Sequence, residues 1–252
     1  INYGIRLKVR IMVVLGENIH QWKLSDGNVI GVNRLEIKDL MTSFSEFLEP
    51  ILQIGSKSSI LDKRGGKWRN LYRQKTFVGI DIESGENVDC VFDISDNISK
   101  LRRKVGIKQF STIICPHVLE HVRNPFIVAD NIKKLLLPRG KTIVTVLWVQ
   151  GFHEFPDDYW RISFSGLKEL FKGLQIIDEY YSDASEELGY RLTYNGAIEH
   201  SIRTCRIERN IFQIILEKIP EQNMFDEYED KKIKLSKMYM PGMSVNIVMQ
   251  KN

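Results

Sequence analysis

The run His153-Glu154-Phe155-Pro156-Asp157-Asp158-Tyr159-Trp160-Arg161 sets an imidazole, carboxylates, aromatic rings and a guanidinium within one short stretch. An imidazole such as that of His153 can take a hydroxyl proton as general base, and aromatic rings lie well against sugars and other flat faces. His153 and Asp157 are therefore catalytic candidates. The competing reading packs Tyr159 and Trp160 into the core and pairs Asp158 with Arg161 locally. His117 is a third candidate. With His121 it has an i, i+4 spacing, but no third ligand is identifiable, so no metal is expected. Lone histidines are also commonly satisfied structural groups.

Three further positions carry ligand chemistry. Asp81 closes Phe77-Val78-Gly79-Ile80, where a carboxylate can accept hydrogen bonds from the vicinal hydroxyls of a ribose, or simply cap a turn. Asp93 ends a similar run and can accept from an adenine amino group while Ile94 packs on the ring, or it too is a turn residue. Gly55, in Gly55-Ser56-Lys57-Ser58-Ser59, lets the backbone turn tightly and approach a ligand. The second and third glycines of G-x-G-x-x-G are missing, which disfavours a dinucleotide pyrophosphate site and leaves a plain polar turn as the alternative.

The elements that must position these residues follow from the pattern of apolar runs. From position 50 onward short apolar runs alternate with amphipathic stretches, the βαβα rhythm of a parallel sheet covered by helices on both faces. Strands are expected at Ile51–Ile54, Thr76–Ile80, Asp89–Phe92, Ser111–Cys115, Thr142–Trp148, Leu174–Asp178 and Val245–Met249. Helices are expected at Ile98–Val105, at Phe126–Leu137 behind Asn124 and Pro125, and at Ser163–Phe171. Leu35–Phe47 has helical spacing and predicts a helical N-terminal extension over residues 1–48. The main α/β domain is expected to fill 49–252, with a helix-containing insertion at about 182–241. In such a sheet ligands bind beyond the carboxyl ends of the strands, near the reversal of strand order, which is where the loops after Ile54, Asp81, Phe92 and Cys115 lie.

Composition sets the outer limits. The 252 residues are 43% hydrophobic and 27% charged, ordinary for a globular chain. The net charge of +4 and the short basic groups at Lys100–Lys104 and Lys231–Lys234 read as solvated faces, so nucleic acid is not the expected partner. Cys90, Cys115 and Cys205 are widely spaced, against a zinc site or a disulfide framework and in favour of a reducing, cytoplasmic compartment. Arg6, Lys8 and Arg10 interrupt the apolar N-terminus, so neither export nor a membrane span is expected, and the start at Ile1 is read as a fragment edge or an extended start.

In order and spacing, several of these segments together resemble the class I S-adenosylmethionine-dependent methyltransferases, the type 11-like group most closely. They are Ile51–Gly55, Gly79-Ile80-Asp81-Ile82, Asp93, Phe110–Cys115 with Val118-Leu119-Glu120-His121-Val122, and Leu135-Leu136-Leu137-Pro138-Arg139-Gly140. The resemblance covers about Glu49 to Asp178 and a last strand near the C-terminus. Gly65–Arg69, Gly79–Asp89 and the P-x-D-x-W-R run at Pro156–Arg161 are similar to stretches of uncharacterised members from bacterial surface-polysaccharide clusters. The resemblance implies a Rossmann-like, seven-stranded, mostly parallel sheet with a reversed last strand, and S-adenosylmethionine as cofactor. It also implies a cofactor site of Gln53, Gly55, Ser56, Asp81, Ile82, Asp93, Ile94 and Cys115, and methyl transfer to oxygen or nitrogen of a small-molecule or saccharide acceptor. Gln53 stands where the family usually has an acid, and Lys57 and Ser59 where it has glycines. A degenerate fold that binds a nucleotide or a partner without catalysis is the alternative.

Overall fold

The computed structural model describes residues 11–14, 19–23, 27–36, 49–58, 64–72, 75–150, 157–183, 188–199 and 243–252. In chain order the elements begin with β1 (Ile11–Val14), β2 (Ile19–Lys23), β3 (Val29–Glu36), β4 (Ile51–Ile54), α1 (Arg64–Leu71), β5 (Phe77–Asp81) and β6 (Cys90–Val91). Next come α2 (Ile98–Val105), β7 (Phe110–Pro116), a 3-10 turn (Leu119–His121), α3 (Pro125–Leu135) and β8 (Leu136–Val149). The last are α4 (Phe164–Leu170), β9 (Gln175–Asp183), β10 (Leu188–Tyr194), β11 (Ala197–Ile198) and β12 (Met243–Gln250). They divide between two compact units, one drawn from Ser43–Trp148, Phe152–Glu179 and Val245–Asn252, the other from Ile1–Thr42, Val149–Gly151 and Tyr180–Ser244.

In the first of these units the strands lie in the order β6-β5-β4-β7-β8-β12-β9. β4 pairs in parallel with both β5 and β7, β5 with β6, and β7 with β8. The polypeptide thus leaves β4 toward β5 and β6 on one side and resumes at β7 on the other, so strand order reverses between β4 and β7. β12 runs against β8: Arg139 and Gly140 bond Lys251 through backbone contacts of 2.9 Å, while Thr145 Oγ1 bonds Asn246 Oδ1 at 2.7 Å. Residue numbers rise along one strand as they fall along the other, which is the reversed last strand.

Burial explains why these segments are strands. All four residues of β4 are buried, as befits a central strand covered on both faces. Caps fix the helices: the Asn97 side chain accepts from Ser99 N and Gly106 closes α2 at φ 71°, while Asn124 Oδ1 accepts from Phe126 N and Ile127 N ahead of α3. Val128, Ala129, Ile132 and Leu135 form the buried stripe of α3. That helix ends at Leu135 rather than Leu137, because Pro138 drives the residue before it into an extended conformation and the strand pairing already begins at Leu136.

The second unit is antiparallel: β1 pairs with β2, β2 with β3, β3 with β10, and β10 with β11 and with Tyr181–Ser182 at the end of β9. Ile30, Val32, Tyr190 and Leu192 are among the buried side chains of its described residues. The chain therefore departs from the expected layout, with twelve strands rather than seven among the described residues. Three of them occupy the N-terminal segment for which a helical extension is expected. Leu35 and Glu36 belong to β3, and the rest of the expected helix to Phe47 lies outside the described residues. The insertion at about 182–241 begins with β10 and β11, and its remainder also lies outside them. Among the described residues no helix is long and apolar enough to cross a membrane.

Candidate functional site

The loop after β4 is built by close approach. Gly55 has φ 71°, and a Cβ placed on it would lie 2.6 Å from Val118 Cγ2 and 3.5 Å from the Pro116 carbonyl, so glycine is required both by conformation and by space. The amides of Gly55 and Ser56 both donate to the Ile80 carbonyl, at 3.0 and 3.1 Å. Asp81, at the end of β5, accepts from the Lys57 amide at 3.0 Å and from the Glu83 amide at 3.2 Å. Ser58 N donates to the Glu86 carbonyl at 3.1 Å and Asn87 Nδ2 to Ser58 Oγ at 2.8 Å. The loops after β4 and β5 are thereby zipped together. The Lys57 side chain runs across Gly85 to an ion pair with Glu83. Hydrogen bonding to Glu83 holds the ammonium above its ordinary range despite some desolvation.

Behind this loop Gln53 is fully buried, its Nε2 reaching the Gly55 carbonyl at 3.5 Å, and its Oε1 has no hydrogen-bond partner. Ser56 Oγ is buried without one as well. Native interiors leave few polar atoms in that state, and such atoms call for an explanation. Ile82 and Asp93 are exposed, whereas Ile94 is 3% exposed and belongs to the core, its carbonyl taken by Asn131 Nδ2 at 2.8 Å. Cys115 is buried within β7. Desolvation, and then the nearby Glu120 charge, push its thiol far above the ordinary range, so it is an inert thiol.

At the exit of β7, His117 adopts φ 51°, a conformation uncommon for a residue with a side chain, and its amide donates to the Thr145 carbonyl at 2.9 Å. Its Nδ1 lies 3.2 Å from Oε1 of Glu120, a side chain with no solvent exposure. Burial acts to raise the Glu120 pKa, but the hydrogen bond and charge of His117, with a contribution from His121, outweigh it and hold the carboxyl below its ordinary range.

The segment after β8 docks on this same exit. His121 Nδ1 donates to the Asp157 carbonyl at 2.6 Å, Tyr159 N to the Glu120 carbonyl at 2.8 Å, and Trp160 Nε1 to the Val122 carbonyl at 2.8 Å. Arg161 pairs with both oxygens of Asp158. Hydrogen bonds from Tyr159 and from the Asp158 amide hold the Asp157 carboxyl below its ordinary range. Asp157 and His117 thus belong to segments that meet around Glu120. His153 lies outside the described residues. The expected local pairing of Asp158 with Arg161 is present, while Tyr159 and Trp160 are exposed rather than packed in the core. Glu120 is the residue that sequence reasoning passed over. Its signal was a carboxylate inside the apolar run Val118–Val122, three residues after one histidine and next to another. Among the described residues no group of three His, Cys, Asp or Glu side chains is placed to hold a metal ion.

The chemistry assembled at the switch in strand order is thus a backbone cradle at Gly55, acceptors at Asp81 and Gln53, and a buried imidazole–carboxylate pair.

No protein-family model matches the chain, and no curated protein matches its sequence. Similar solved structures include a SAM-dependent methyltransferase from Archaeoglobus fulgidus, at 13% identity over 85% of this chain and 93% of that one, with a TM-score of 0.47. Another is the 1,6-didemethyltoxoflavin-N1-methyltransferase of Burkholderia thailandensis with S-adenosylhomocysteine bound, at 12% identity over 64% and 76%, with a TM-score of 0.45. A third is the N-methyltransferase NodS of Bradyrhizobium japonicum, at 14% identity over 64% and 92%, with a TM-score of 0.41. At these scores the likenesses carry no weight for activity or substrate.

Proposed function

We propose that the chain is an S-adenosylmethionine-dependent methyltransferase acting on an oxygen or nitrogen of a small molecule or glycan precursor. The observation that carries this reading is the clustering of Gly55, Asp81 and the β7 exit at the reversal of strand order, where open parallel sheets bind nucleotide-like ligands. The cofactor supplies, when bound, a methyl group already activated on a sulfonium, so the protein's task is mainly alignment in a dry pocket.

The residues present fit that group. The orphaned Gln53 Oε1 and Ser56 Oγ are polar atoms of the kind an ammonium or carboxylate would satisfy. Gly55 offers a surface without a side chain. Each oxygen of Asp81 has spent one lone pair on a backbone amide and keeps another for a ribose hydroxyl. Exposed Asp93 and Ile82 suit the adenine end better than buried Ile94 does. His117 lies in sequence between Pro116 and Val118, the two residues that face Gly55, and is one base candidate, while His153 and Asp157 are assigned to the acceptor side.

A second reading, a binding module that no longer turns over, draws on Lys57, whose bulk occupies a position where glycine would keep the loop open. Thermal shift assays with S-adenosylmethionine, S-adenosylhomocysteine and NAD separate the two. A ligand at a hundred times its dissociation constant stabilises by about 2.7 kcal/mol. A shift with the first two alone is expected, and no shift with any of the three would favour the binding module. Lys57→Gly should bind S-adenosylhomocysteine at least as tightly as the parent, since the side chain is already steered onto Glu83. Loss of binding would make Lys57 a ligand contact.

A further inference from the structure

We propose that Asn131, buried in α3, is the positioning residue for Asp93, and that through this contact it sets the preference of the site for a 6-aminopurine over a 6-oxopurine. This rests on the methyltransferase reading above, in which Asp93 meets the adenine of the cofactor.

Asparagine suits neither a helix interior, where its short amide competes for backbone hydrogen bonds, nor an apolar stripe, where that amide must be satisfied. Yet Asn131 is only 7% exposed, in the same helix as the buried Val128, Ala129, Ile132 and Leu135. Its Nδ2 donates to the Ile94 carbonyl at 2.8 Å and to the Asp96 carbonyl at 3.1 Å. Both hydrogens of the amide are thus spent on one loop, 35 to 37 residues away in sequence. Leucine would fill a similar volume and hold neither carbonyl.

The loop so held is the turn between β6 and α2. The Asp96 amide donates to the Asp93 carbonyl at 2.9 Å, and the Ser95 amide to Asp93 Oδ1 at 2.7 Å. The Ile94 side chain enters the core beneath. Asp93 itself is exposed, and among the described residues its Oδ2 has no hydrogen-bond partner. One oxygen of the carboxylate therefore belongs to the turn, and the other is open to a ligand.

The near end of the turn is tied to the ribose side. β5 and β6 are parallel, Asp81 pairs with Val91, and the Phe92 amide donates to the Asp81 carbonyl at 2.8 Å. Asp93 follows directly, so Asp81 and Asp93 leave adjacent strands at the same carboxyl end, about 4.8 Å apart in the pairing direction. A nucleoside whose ribose is held by Asp81 can present its base to this turn. A carboxylate oxygen only accepts, so a 6-amino group satisfies Asp93 Oδ2 while a 6-oxo group turns lone pairs against it. The preference depends on where Oδ2 points, which the turn dictates and Asn131 fixes from behind.

The test is titration calorimetry on the full chain with two probes, S-adenosylhomocysteine and its 6-oxo analogue, S-inosylhomocysteine. The readout is the ratio of their dissociation constants, which a general loss of stability does not move. The parent should favour the amino compound by about tenfold, the scale of one hydrogen bond to a charged acceptor. In Asn131→Leu the ratio should fall to within about threefold. If Asn131 acts through Asp93, the double variant Asn131→Leu with Asp93→Ala should be no less selective than Asp93→Ala alone. An Asn131→Leu variant that keeps the parent's ratio overturns the proposal while leaving the methyltransferase reading in place. So does a parent protein that binds both probes equally, or a double variant whose losses simply add. If S-adenosylhomocysteine does not bind the parent at all, the methyltransferase reading fails and the role of Asn131 with it. Should Asn131→Leu not fold, Asn131→Ala, which leaves room for water at the two carbonyls, must show the same loss of selectivity, and a retained ratio there overturns the proposal as well.

Discussion

Replacing Asp81 by alanine should damage both the fold and the site, in amounts that can be separated. The carboxylate is the acceptor for the Lys57 amide at 3.0 Å and the Glu83 amide at 3.2 Å, so its loss unties the loops after β4 and β5. Hydrogen bonds to a charged acceptor contribute about 1.5–3 kcal/mol each, but these amides lie near the surface where water substitutes, so the pair together should be worth about 2 kcal/mol. For a chain of this size that lowers Tm by about 4–8 °C. If the same carboxylate also binds a ribose, affinity for S-adenosylhomocysteine should fall at least about tenfold, or 1.4 kcal/mol. Scanning calorimetry gives the first quantity, and titration calorimetry at a temperature where both proteins are folded gives the second. Asp81→Asn keeps one acceptor oxygen and should recover part of the Tm. A fall in Tm with unchanged affinity would refute the ribose role and leave Asp81 as a loop tie. An unchanged Tm would refute the energetic weight given to the two amide contacts.

Gly55→Ala should destabilise for two reasons, the left-handed backbone, which costs about 1–2 kcal/mol, and the collision with Val118 Cγ2. Combined with Val118→Ala, the steric share should be relieved and the backbone share retained. Chemical denaturation of the two single variants and the double would show this, and a double variant as unstable as the sum of the singles would argue against the collision. The buried Glu120 carboxyl has a folded pKa below its ordinary value of 4.5, so the stability it contributes is present above that value and lost as pH falls through the folded pKa. The Tm difference between the parent and Glu120→Gln should therefore shrink as pH falls below 4.5, and a difference that stays constant from neutral pH to pH 3 would contradict the assignment.

The central architecture was legible because it is written in local signals. β4 and α2 fall at the expected residues: one is a wholly apolar-flanked run buried on both faces, the other lies between an asparagine cap and a left-handed glycine. The antiparallel unit was missed although part of its signal is explicit. Asn195-Gly196 joins β10 to β11 with φ of 49° and 84°, the paired positive values of a two-residue hairpin turn. In β10 the burial is not strictly alternating, which blurred the period. At the site, Gly55 and Asp81 could be placed because strand ends carry them. The docking of Asp157–Arg161 on the β7 exit could not, because its contacts span 36 to 39 residues and are made largely by backbone carbonyls that no side-chain pattern announces.

Lys57 and Gly85 face each other across the zipped loops, and a Cβ at Gly85 would come within 2.9 Å of Lys57 Cγ. The volume between the loops can hold one side chain and not two. The side chain that the first loop carries at position 57 is thus housed over a glycine of the second. Enlarging position 85 would force position 57 to give way, and the ion pair with Glu83 that now anchors the lysine would go with it.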